Sequence, residues 1–110
     1  MRAKVIAVDF DGTLCENKWP EIGEANEQLI SYLKAERDRG TKLILWTCRC
    51  GRELDDAIGW CEERGLYFDA VNNNLPELVQ AFGDNPRKVN ADLYLDDKAL
   101  RVFKRRTDDE

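Results

Sequence analysis

Two aspartates one residue apart open the run Asp9-Phe10-Asp11-Gly12-Thr13-Leu14. A second acidic pair, Asp96-Asp97, is followed by Lys98. A hydroxyl residue, Thr47, follows the apolar run 42–46 and precedes Cys48 and Arg49. Carboxylates held close together cannot all stay ionised without counter-charge, so a proton or a cation must sit among them. An all-oxygen donor set suits Mg²⁺, which takes one or two carboxylates, waters and a substrate phosphate. With a hydroxyl and a lysine added, these are the parts that phosphoryl transfer needs: one carboxylate to attack, another to move the proton, and a cation against the phosphate charge. The chain has no histidine. That excludes Ser-His-Asp triads, Cys-His pairs and HExxH zinc sites.

These residues need elements to bring them together. Residues 4–8 are apolar and β-branched and end at Asp9, which reads as a buried strand. Ile22, Ala25, Leu29, Ile30 and Leu33 recur at helical spacing, with Gly40 as a stop. Residues 42–46 read as a second strand, and Leu54, Ala57, Ile58 and Cys61 as a second helical stripe closed by Gly65. Residues 66–71 give a third strand, Asn74-Leu75-Pro76 opens a short helix with Leu75, Leu78, Val79 and Phe82 expected inward, and residues 92–95 give a fourth strand. This alternation predicts a single α/β domain over residues 1–110: a three-layer, Rossmann-like parallel sheet of about four strands, helices on both faces, and a frayed tail over 101–110. In such sheets ligands bind beyond the carboxyl ends of the strands. Asp9 and Asp11, Thr47 to Arg49, and Asp96 to Lys98 all fall there. Gly12 permits the turn that swings Asp11 back toward Asp9.

The balance of 17 basic and 22 acidic residues gives a net charge of −5, which disfavours non-specific hold on nucleic acid or anionic lipid. No apolar run reaches membrane-spanning length and no secretory leader is evident, so the expected location is cytoplasmic. Four cysteines, at 15, 48, 50 and 61, follow no disulfide spacing, and Cys-x-Cys alone is a poor zinc signature. A calcium loop starting at Asp9 fails, because Leu14 stands where glycine is needed and Pro20 where glutamate is.

The hexapeptide from Asp9 to Leu14 resembles the first motif of the haloacid dehalogenase superfamily of Mg²⁺-dependent phosphohydrolases. Leu43 to Thr47 resembles its second motif, a hydrophobic strand ending in a phosphate-binding hydroxyl, and Leu93 to Asp97 its acidic fourth motif. The third is a lone basic residue. Lys88 fits it best, as in the deoxyribonucleotidase branch, where a basic residue shortly precedes an Ala-Asp-x-x-x-Asp-Asp segment; Arg87, Lys98 and Arg101 are rivals. The resemblance implies that Asp9 is the nucleophile and a metal ligand. It makes Asp11 the acid/base, with its backbone carbonyl on the metal. Thr47 and Lys88 would hold the phosphoryl group, and Asp96 and Asp97 would ligate Mg²⁺. Gly12, Cys48 and Arg49 would line the substrate, Arg49 lying near enough to touch it. The short gaps between motifs leave no room for a cap domain. The stretch Glu16 to Pro20 would then be a small flap, with Trp19 at the mouth. The expected activity is a phosphomonoesterase working through an aspartyl-phosphate on a nucleotide, another small phosphate ester or a macromolecular phosphate. A homo-oligomer could cover the open site. The alternatives are a receiver-like module or a catalytically silent phosphate-binding regulator. Receivers place the acidic pair after the first strand, an order this chain reverses.

Overall fold

A computed structural model describes residues 4–100, so the expected frayed tail at 101–110 lies outside the described residues. Four strands, β1 (Val5–Val8), β4 (Lys42–Leu45), β5 (Ala70–Val71) and β6 (Leu93–Leu95), form one parallel sheet in the order β5-β4-β1-β6. Strands β2 (Cys15–Lys18) and β3 (Glu21–Ala25) make a separate antiparallel pair. The helices are α1 (Glu27–Asp38), α2 (Gly51–Glu63) and α3 (Pro76–Phe82). Among the described residues no helix is long and apolar enough to cross a membrane.

Strand β1 is the sheet's centre because its alternate residues are apolar on both sides. Ile6 and Val8 join Ile30 and Leu33 of α1 and Ala57 and Cys61 of α2 in the larger core. Ala7 joins Ile44, Leu75 and Val89 in a smaller one, with Leu78 of α3 packed against it. Two helices therefore cover one face and a single short helix the other. A β-branched strand buried on both faces reads as a continuous apolar run, which is how residues 4–8 were legible.

Two boundaries differ from the sequence expectation. The third strand is confined to Ala70–Val71. Leu66 is still finishing α2, its N–H donating to the Cys61 carbonyl while its side chain fills the larger core. Asp69 then ends the approach: its N–H donates to the Leu43 carbonyl and its carboxylate accepts from the Leu43 N–H. The first helix starts at Glu27, so Ile22 and Ala25 belong to β3. Asn26 caps the helix by accepting from the Leu29 N–H at 3.2 Å, and its amide donates back to the Thr13 carbonyl at 3.1 Å.

The hairpin β2–β3 occupies the place of the expected flap, between the Asp9–Leu14 loop and α1. Its turn contains a cis Trp19–Pro20 bond. Gly23 lets the strands close, since a β-carbon there would stand 2.3 Å from the Glu16 carbonyl oxygen.

Candidate functional site

The register gathers the site. Val8 pairs with Leu45 and with Leu95, and Leu45 with Val71, so the four strands end level. The ladder runs one residue further: Asp9 N–H donates to Leu95, Trp46 N–H to Val8 and Asn72 N–H to Leu45. Asp9, Thr47 and Asp96 consequently emerge along one rim. The chain leaves β1 toward β4 on one side, and the last crossover returns to β1's other side at β6. Ligand crevices open at such a reversal.

Asp9, Asp96 and Asp97 each offer an oxygen within 4.8 Å of the others. The contact is built by two backbone devices. Gly12 has φ +86° and leaves its surface to Asp97, whose Oδ2 lies 2.4 Å from where a β-carbon would stand. The Asp97 N–H donates to the Thr13 hydroxyl at 3.1 Å, tying the β6 loop to the β1 loop. Desolvation first, then the Asp96 and Asp97 charges, push Asp9 up to about 6, with a hydrogen bond from the Phe10 backbone working the other way. Asp97 stays exposed. Desolvation there acts upward, but the Lys98 ammonium 3.3 Å away holds its carboxyl below the usual range.

Asp11 is elsewhere in character. Its two oxygens accept from Arg49 Nε and Nη2, both at 2.8 Å. Arg49 is 2 % exposed. Its remaining N–H groups reach the carbonyls of Pro20 at 3.2 Å, Glu21 at 3.0 Å and Glu53 at 3.3 Å. A guanidinium has five N–H donors, and all of Arg49's are engaged. Phe10 and Trp19 flank it, their ring centres 5.0 and 5.1 Å from its Cζ. The Asp11 hydrogen bonds raise its pKa further above the ordinary arginine value. Arg49 lines the same cavity as Asp9 and Thr47, and its side chain joins Asp11 to the hairpin turn and to α2.

Thr47 and the exposed Cys48 line a cavity of about 320 Å³ together with Asp9, Asp11, Trp19 and Lys98. Thr47 is fixed by its N–H donating to the Asn72 side chain at 2.8 Å, and its hydroxyl accepts from the Arg49 N–H at 3.1 Å. Asn72 takes φ 50°, a backbone region that Asn tolerates better than most residues. Lys88 is not among the residues lining this cavity. Its ammonium lies 5.6 Å from the Tyr94 ring centre, next in sequence to the buried Val89. Among the described residues, Lys98 lines the cavity as an ammonium; the rival Arg101 lies outside them. Sequence reading passed over Asn72 altogether; its one signal was an asparagine just past an apolar run.

The donor set fits a hard divalent cation. All three oxygens are carboxylate, a lysine stands beside them, and burial together with the two neighbouring carboxylates raises Asp9's pKa. The Asp11 carboxylate, committed to Arg49, stands outside this group of three.

No family model matches the chain, and no curated protein matches it. Among solved structures, a conserved protein from Bacteroides thetaiotaomicron is similar with a TM-score of 0.79 at 45% identity, over 90% of this chain and 79% of that one. At that identity and coverage, this chain belongs to the same family as that protein.

Proposed function

We propose that the protein is a Mg²⁺-dependent phosphomonoesterase of the haloacid dehalogenase type, capless and Rossmann-like, working through an aspartyl-phosphate. The observation that carries this reading is the meeting of Asp9 with Asp96 and Asp97 at one rim, within 4.8 Å. Asp9, Asp96 and Asp97 would hold Mg²⁺, which when bound offsets the phosphate charge. Asp9 attacks phosphorus through a carboxylate oxygen, and the bond to the leaving oxygen breaks. Asp11 gives that oxygen a proton. Water then attacks phosphorus, the bond to Asp9 breaks, and the water proton passes to Asp11. Thr47 donates its hydroxyl to the transferring group. Lys98, rather than Lys88, supplies the cation in contact with phosphate.

A panel of phosphomonoesters assayed with Mg²⁺ and with chelator tests this. Mg²⁺-dependent release of phosphate is expected, with Asp9→Asn lowering turnover by on the order of 10⁴-fold or more. Lys98→Ala should lower kcat while Lys88→Ala leaves it unchanged. Full activity in Asp9→Asn would falsify the nucleophile.

A further inference from the structure

We infer that Arg49 is a positioning residue that holds Asp11 ready to take the proton of the hydrolytic water, and that it ties this readiness to the seating of the hairpin. The inference rests on the phosphomonoesterase reading. Arg49 lines the cavity together with Asp9 and Asp96, but its N–H groups are all directed at partners within the protein. It takes both oxygens of Asp11 and, with its other N–H groups, three carbonyls from the hairpin turn and α2.

An arginine that recognised substrate would need at least one N–H to spare. An arginine that served only as a brace would have no need of a bidentate carboxylate on the nucleophile's own loop. A planar fork orients a carboxylate where a point charge would not. It also leaves one lone pair on each Asp11 oxygen, since a carboxylate has about four acceptor sites. That orientation is what Asp11 needs when water attacks the aspartyl-phosphate. In that step the water oxygen bonds to phosphorus, the bond from phosphorus to Asp9 breaks, and the proton moves to Asp11. The turn carbonyls of Pro20 and Glu21 hold the other side of the same guanidinium, so the hairpin and Asp11 share one anchor. Trp19, 56 % exposed at the cavity mouth, sits on that turn.

The test compares wild type with Arg49→Lys and Arg49→Gln on p-nitrophenyl phosphate with Mg²⁺. Its leaving group departs without help from an acid, so the water step is isolated. Rapid-quench release of p-nitrophenolate and the intact mass of the quenched protein are read together. The expected result is a burst equal to the folded protein, phosphorylated protein in the mass spectrum, and steady turnover lowered about 10²-fold with KM falling alongside it, so that kcat/KM is unchanged. Arg49→Lys should retain more turnover than Arg49→Gln. A raised KM without phosphorylated protein would make Arg49 a substrate contact and overturn the inference. Burst and turnover falling in proportion to folded protein would make it a brace, as would failure of both variants to fold. If wild type itself released nothing from any phosphomonoester, the underlying reading would fall first, and the inference with it.

Discussion

Asp9 and Asp11 leave the same strand end two residues apart, yet their surroundings are opposite. Asp11 faces a buried guanidinium whose every N–H is used, and it shares that partner with the hairpin and α2. Asp9 faces two more carboxylates, one of them held over Gly12, with the nearest ammonium engaged by Asp97. One half of the motif is electrostatically complete within the protein. The other is complete only with something added. A structural site tends toward the first condition; a site that must take up and release a ligand keeps part of itself in the second.

The sharpest break in this comparison is Arg49→Met. Removing one partner of a buried pair strands the other, and the expected loss is about 3–5 kcal/mol by urea unfolding. A loss under about 1 kcal/mol would mean that the locked half is not locked. Next is Mg²⁺. At about a hundredfold excess over its Kd it should stabilise the fold by about 2.7 kcal/mol, with the rise in Tm abolished in Asp9→Asn. Arg49 variants that fold should keep the Mg²⁺ response.

A smaller effect of opposite sign is expected from Asp9→Asn without metal. Asp9's pKa lies near 6 in the fold, against 3.8 for the free carboxyl, so the fold binds this proton more tightly than the unfolded chain does. Metal-free stability should therefore fall as pH rises from about 4 to about 6, and be flat in this respect above that. Asp9→Asn should remove that slope and gain about 1 kcal/mol at pH 7, a figure discounted for solvent screening. The smallest effect is that of Lys98→Ala, whose exposed pair with Asp97 should leave Tm in place even as activity falls.

Much of this was readable in the chain. The strands that end at Asp9, Thr47 and Asp96 are apolar runs cut off by polar residues, and a parallel sheet sets such ends level. The acid trio thus follows from pattern and topology. Arg49 did not, because an arginine beside a rim looks the same in sequence whether it meets solvent, substrate or a buried carboxylate. Its burial depends on Phe10, Trp19 and the hairpin converging on it. The hairpin was hidden as well: residues 15–25 are too polar to show strand alternation, and Ile22 and Ala25 happen to fall in step with the helix that follows. Lys88 is near Asp96 along the chain, yet it is not among the residues lining the cavity, and sequence separation alone could not decide that.

The buried members of the larger core all come from the first 66 residues, whereas Asp96 and Asp97 follow the last strand of the sheet. Synthesis therefore provides the hydrophobic body well before the acidic partners of Asp9 exist. A chain cut short before Leu93 would carry Asp9 with neither acidic partner beside it.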